Sequence, residues 1–186
     1  MTLMQTLQRA RQLTTPVEVW CITRFDRNDT TLEIYWSEKD PHNPSAVTSA
    51  TLGGGDGVRP YGGPAAHAEC VMVRDFARAI TAYGRAPERV EIFLSRSPCA
   101  VSAAFAFGGV NYPVGCAEKL RTLITNNPHV GFWDIRYDDV YWGNPQNLPN
   151  SDSAILAGSV AGLEPLAAFH NVSIHRFNAI DVVPSV

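Results

Sequence analysis

His129–Tyr137 (HVGFWDIRY) and Val172–Phe177 (VSIHRF), with Ala154–Phe169 (AILAGSVAGLEPLAAF) between them, dictate the topology of the back half of this chain. The outer stretches are rich in β-branched and aromatic residues, as half-buried strands are. The middle stretch is too long for a strand and reads as a helix, interrupted near Gly162 or Pro165. A strand–helix–strand passage returns the chain to its starting end, so the two strands are expected to lie parallel. An aromatic-rich extension to Trp142 and a polar loop over 143–153 fill the remaining gap.

Upstream, Val90–Leu94 reads as a strand that ends in the turn Ser95-Arg96-Ser97-Pro98-Cys99. Ala65 to about Tyr83 carries Val71, Val73, Phe76, Ala77 and Ile80 as an apolar stripe and is closed by Gly84 and Pro87, so it reads as a helix. Cys116 opens a further helix, Ala117 to about Thr125, which Asn126-Asn127-Pro128 ends. Residues 100–114, small and apolar around Gly108-Gly109, read as a loop or a broken helix. Val17–Ile22 and Thr31–Trp36 alternate as strands about the turn Asp26–Asp29 and are expected to pair as a hairpin. Residues 2–13 place Leu3, Leu7 and Ala10 on one face of a helix that ends before Pro16. Residues 37–64, rich in Gly, Pro, Ser and Asn, form a long loop, which signals function, mobility or a linker. Strands alternating with helices make this an α/β chain, and its 186 residues are expected to form one domain, 1–186.

Net charge is −3 with a sequence pI near 5.9, which counts against an extended nucleic-acid surface but leaves room for a small basic rim. Thirteen of the fifteen basic residues are Arg, the side chain suited to planar contacts with phosphates, carboxylates and bases. No apolar run reaches about eighteen residues, so no membrane-spanning helix and no membrane partner is expected. The N-terminus lacks the basic start and apolar core of a signal peptide. Cys21, Cys70, Cys99 and Cys116 do not form the spacing of a small disulfide framework, and a reducing compartment with a metal is the better reading.

His67-Ala68-Glu69, Pro98-Cys99 and Cys116 carry chemistry. One imidazole and two thiolates suit a tetrahedral zinc and leave its fourth position for water. The carboxylate of Glu69, two residues from His67, would shuttle that water's proton. The bland alternative makes His67 a helix-start histidine and the cysteines small core residues. A second ligand set, His67, Cys70 and Cys99, also stands open, because Cys70 shares a helix face with His67. Cys21 sits mid-strand and reads as core.

These motifs resemble the zinc-dependent cytidine deaminase superfamily, whose signature runs H-x-E and then P-C-x-x-C. Ser95-Arg96-Ser97-Pro98-Cys99 resembles the S-W-S-P-C of its AID/APOBEC-like nucleic-acid-editing branch, with Arg96 in place of tryptophan. The strand ending at Arg136-Tyr137, the following Gly162-Leu163-x-x-Leu166, and Val172-x-Ile174 resemble the later elements of that branch. Sixteen residues separate Cys99 from Cys116. That departure, together with the acidic charge, looks more like bacterial toxin-type cytosine deaminase domains.

The resemblance implies a three-layer α-β-α fold on a five-stranded mixed sheet, with the last two strands parallel. It implies zinc held by His67, Cys99 and Cys116, with Glu69 catalytic. It implies substrate contacts from Tyr137, Ala68, Ser97 and Asn43; beside these, Tyr61, an aromatic just ahead of the HAE, is a candidate to stack on a base, and Arg96 a candidate to contact a phosphate. Phe105, Phe107 and Tyr112, in the long gap, are candidates for substrate choice. The implied reaction is hydrolytic deamination of cytosine to uracil in single-stranded nucleic acid, DNA favoured over RNA. Further implications are cytoplasmic action, delivery as a secreted toxin domain, and an immunity protein as partner where the domain is toxin-derived. The competing readings are a deaminase of a free nucleoside, nucleotide or base, a tRNA-type adenosine deaminase, and a non-catalytic zinc module.

Overall fold

The computed structural model describes residues 1–13, 19–37, 67–100, 102, 104–139 and 163–177. Helix α1 (Leu3–Leu13) opens with a reciprocal cap: Gln5 N–H donates to Thr2 Oγ1 at 3.3 Å, and Thr2 N–H donates to Gln5 Oε1 at 2.9 Å. Its buried stripe is the expected Leu3, Leu7 and Ala10. Strands β1 (Trp20–Phe25) and β2 (Asn28–Trp36) form the expected hairpin, but the turn is tighter than Asp26–Asp29. Asp26 and Arg27 both take positive φ, 49° and 58°, the backbone of a two-residue primed turn. Neither residue is glycine, so tertiary bonds hold the turn. Asp26 accepts from Arg89 N–H, Tyr83 Oη–H and Arg85 at 2.6–2.8 Å.

Helix α2 (Ala68–Tyr83) stops at Gly84, whose φ of 81° lets its N–H reach the Ile80 and Thr81 carbonyls. Strand β3 (Arg89–Arg96) follows, then β4 (Phe105–Phe107), β5 (Val110–Tyr112) and α3 (Cys116–Thr125). Strand β6 spans Phe132–Asp139, three residues later than expected, because His129 and Val130 close the turn after α3. Residues 163–167 are helical and precede β7 (Val172–Arg176); residues 154–162 of the expected helix lie outside the described residues.

The main sheet runs β2-β1-β3-β6-β7. β1 pairs antiparallel with β2 and β3; β3–β6 and β6–β7 are parallel. The five-stranded mixed sheet with parallel last strands is thus the expected one. One face packs under α1, with Leu3, Leu7 and Ala10 against Trp20, Ile22, Ile34, Trp36 and Phe93. The other packs under α2, α3 and Leu166 through Val90, Ile92, Leu94, Trp133 and Ile135. Period-two alternation along each strand sends successive residues to opposite helical layers.

The stretch read as a loop or broken helix folds as the β4–β5 hairpin. Gly108 and Gly109, at φ 57° and 78°, form its turn, and Phe105 pairs with Tyr112. Alternating apolar residues around Gly-Gly carry that signal.

Candidate metal centre

His67, Cys99 and Cys116 come from three elements and meet at one point. His67 sits at the N-cap of α2, with its carbonyl accepting from Cys70 N–H at 2.8 Å and Val71 N–H at 3.1 Å. Cys99 ends the turn that leaves β3, and its carbonyl accepts from Ala117 N–H at 3.3 Å. Cys116 is the first residue of α3. The site therefore lies beyond the carboxyl end of β3, where open α/β sheets bind ligands. Two helix N-termini converge there, and their positive dipole ends favour thiolates.

Gly115, the N-cap of α3, makes this approach feasible. Its φ is 90°, and a Cβ there would stand 3.2 Å from the Ala100 backbone. Its N–H donates to the Ser102 carbonyl at 2.8 Å, closing the chain between the two cysteines.

Among the described residues, His67, Cys99 and Cys116 form the group able to hold a metal ion, with ligand atoms all within 4.8 Å of one another. His67 Nδ1 stands 3.5 Å from each sulfur, and the sulfurs are 3.4 Å apart. Tetrahedral zinc, with Zn–S of about 2.3 Å and Zn–N of about 2.0–2.1 Å, requires N···S near ~3.6 Å and S···S near ~3.8 Å. The imidazole edges already match, and the sulfurs need to part by a few tenths of an ångström. All four cysteines are free thiols. The donor set and its spacing fit zinc.

Cys70 is buried beside the two ligand cysteines, with Phe105 packed on the cluster, yet it is outside the triad. In the metal-free protein a hydrogen bond from Cys116, opposed by burial and helped by the Lys119 charge, lowers the Cys70 thiol to about 7. Burial, with the neighbouring sulfurs, pushes Cys116 well above the ordinary thiol range. Acidity and geometry thus disagree about which sulfur ligates. Geometry favours Cys116, because a metal deprotonates a coordinating thiol outright.

Glu69 lies in the first turn of α2 and is 6 % exposed. Burial pushes its carboxyl up to about 7, with the imidazolium of His67 pulling the other way. Burial works to lower His67, but its hydrogen bond to Cys99 and the charge of Glu69 outweigh that and raise it to about 9. A carboxyl that titrates near neutrality suits a proton shuttle, and a dication beside it would lower it again. Cys21 is core, as expected, and burial raises its thiol.

Of the expected substrate contacts, Ala68 and Ser97 are buried at the site's edge, and Ser97 N–H donates to the Asp139 carbonyl at 2.8 Å. Tyr137 is half-buried near the carboxyl end of β6 on the α2–α3 face, opposite Leu94. Arg96 bonds Asp139 Oδ2 at 2.8 Å, tying β3 to β6. Asn43 and Tyr61 lie outside the described residues. Phe105 and Tyr112 lie against each other, tilted by 31° with centroids 5.1 Å apart, and pack into the core, while Phe107 stays exposed. Arg74 covers the Phe105 ring at 4.2 Å. The hairpin therefore backs the metal centre. Two surface hollows, one along α1 by Arg11 and one between the first hairpin and the end of α2, are lined by no triad residue.

Residues that sequence reasoning passed over are Ser102 and Lys119, both buried, Ser102 against Cys116 and Lys119 against Ser102. Helical spacing placed Lys119 one turn from Cys116, and that was the available signal.

No helix among the described residues is long and apolar enough to cross a membrane. No protein-family profile matches the chain, and no curated protein matches it. Among solved structures, a C-terminal deletion mutant of the Aspergillus oryzae Rib2 deaminase, in complex with DARIPP, is similar over 94% of this chain and 84% of its own, with 10% sequence identity and a TM-score of 0.41.

Proposed function

We propose that this protein is a zinc-dependent hydrolytic deaminase acting on cytosine in single-stranded nucleic acid, DNA before RNA. The observation that carries the reading is the His67–Cys99–Cys116 triangle at zinc spacing with buried Glu69 two residues from His67. A purely structural zinc has no use for a non-ligand acid at that place.

Three ligands would hold zinc, whose contribution when bound is Lewis acidity that brings a water's pKa toward about 7. Glu69 takes a proton from the attacking water as its oxygen bonds to the carbon bearing the exocyclic amine. The same carboxyl passes that proton to the ring nitrogen, then takes the second one from the hydroxyl now on the ring carbon and gives it to the departing amine, so the C–N bond breaks, the carbonyl forms and ammonia leaves. A base stacked in a duplex hides that carbon, which favours an unpaired strand. The parallel β6–β7 pair is the arrangement that the resemblance to the nucleic-acid-editing branch implies. The acidic composition favours a second substrate, a free nucleoside or base.

Incubation of the zinc-loaded chain with single-stranded and duplex DNA, RNA and free cytidine, read by mass, separates these. Uracil in the single-stranded DNA is expected. Ammonia from free cytidine alone would move the substrate to small molecules. Glu69→Ala is expected to lose about 10²–10⁴-fold or more in rate while zinc stays bound, and an unchanged rate in that variant would overturn the mechanism.

A further inference from the structure

Lys119, one of two lysines in the chain, is 0 % exposed. It follows Cys116 by one turn of α3. Its ammonium donates to Ser102 Oγ at 2.8 Å, to the Ser102 carbonyl at 3.1 Å and to the Gly115 carbonyl at 3.3 Å. Its Nζ also stands 5.6 Å from the Phe105 ring centroid. An ammonium has three donors and no acceptor, so this pocket satisfies it fully. Taking that charge out of water is still costly, and an apolar side chain would fill the same space without the penalty.

Ser102 explains the placement. Its Oγ receives the Lys119 proton and stands 3.2 Å from Cys116 Sγ. A hydroxyl has one hydrogen of its own. With the ammonium donating into its oxygen, that hydrogen is free to turn toward the sulfur, which as a thiol donates to the same oxygen. Cys116 as a thiolate accepts that hydrogen; Cys116 as a thiol competes with Lys119 for the oxygen. A Ser–Lys nucleophile is ruled out because both side chains are sealed, Ser102 at 1 % exposure.

We infer that Lys119 and Ser102 form a cationic relay behind Cys116 that supports its sulfur as a ligand once a metal has displaced the thiol's proton. Lys119 offsets the negative charge gathered by two thiolates and Glu69, and Ser102 delivers that charge as a directed O–H···S bond. Both are positioning residues. The inference rests on the metal-centre reading above.

The test uses the full chain, with Ser102→Ala and Lys119→Met. Zinc affinity is measured by competition with a chromophoric chelator, and thiolate-to-metal charge transfer is read in the cobalt(II)-substituted protein. Each variant is expected to bind zinc about 10–100-fold more weakly. The cobalt charge-transfer band is expected to move to longer wavelength, because a thiolate stripped of its hydrogen bond donates more strongly. Lys119→Met should cost less in the Ser102→Ala background, since the relay is already cut. Ser102→Ala removes only a hydroxyl and decides the matter if Lys119→Met does not fold. Wild-type affinity and spectrum in folded Ser102→Ala would overturn the relay alone. Wild-type protein that binds no zinc would overturn the metal centre and the relay together.

Discussion

Burial lets Glu69 keep its proton to about pH 7, whereas the unfolded chain releases it near 4.5. A raised folded-state pKa contributes stability that is full below the unfolded value and is lost as pH rises through the folded one. His67, raised from 6.5 to about 9, acts in the same direction over its own interval. Burial works to raise Asp134, but Arg136 and Arg89 outweigh it and hold the carboxyl below 3.8, so its contribution is complete before this window opens. The metal-free protein should therefore melt at a lower temperature at about pH 7 than at about pH 5. Zinc reverses the slope, because it requires a neutral His67 and two deprotonated thiols. The rise in Tm on adding zinc should grow over the same interval, and an equal rise at both ends would contradict the ligand assignment. Substitution maps the ligands directly. Alanine at His67, Cys99 or Cys116 should abolish stoichiometric zinc, whereas Cys70→Ser should retain it, as read by metal analysis of the purified variants. Loss of zinc in Cys70→Ser with retention in Cys116→Ala would install the rival ligand set.

The turn from Cys99 to α3 depends on Gly115. An alanine there meets both a positive φ and the Ala100 backbone at 3.2 Å. Gly115→Ala should cost about 1–3 kcal/mol, with a matching loss of zinc affinity because Cys116 is the next residue. A thermal melt with and without metal separates the two effects. The legible parts of this region were those with strong local signals. The Ser-Pro-Cys turn and the helix opening at Cys116 stand where their residues implied, and so does the α2 stripe at Val71, Val73, Phe76 and the partly buried Ile80, whereas Ala77 is exposed and Met72 and Ala79 are buried instead. Gly108-Gly109 between alternating aromatics was an equally local signal for the β4–β5 hairpin, overshadowed by the small residues before it. Other features were not local. The primed turn at Asp26-Arg27 exists because Arg89, Tyr83 and Arg85, all distant in sequence, bond Asp26. The Lys119–Ser102–Cys116 contact needs the chain to double back across the gap between the two cysteines. Tyr137 was placeable on β6, but the role of Arg96 was not, because its Asp139 partner lies on a neighbouring strand.

A row of charge crosses the sheet on its α1 side. Arg24 on β1 bonds Glu91 on β3 at 2.6 Å and Asp29 at 2.8 Å, while Arg89 and Arg136 hold Asp134 on β6. Register puts Arg24 opposite Glu91 and Glu91 opposite Asp134. Arg24, Glu91 and Asp134 are all buried, so breaking the row leaves an uncompensated ion. Glu91→Ala should cost about 3 kcal/mol, the lower end of the usual range because Asp29 still faces Arg24. For a chain of this length that is a fall of roughly 6–12 °C in Tm. Zinc affinity should not change, since the triad belongs to the opposite layer. The spacing of the three candidate ligands has a kinetic side. His67 and Cys99 are 32 residues apart and Cys99 and Cys116 are 17 apart, and closing such loops costs little more than closing shorter ones, about 0.6 kcal/mol per doubling. A metal can therefore gather α2, the end of β3 and α3 while the β1–β2 hairpin and β7 are still unpaired. Zinc present from the start of refolding should act as a nucleus and quicken it, while zinc added to the finished fold would only slow its unfolding.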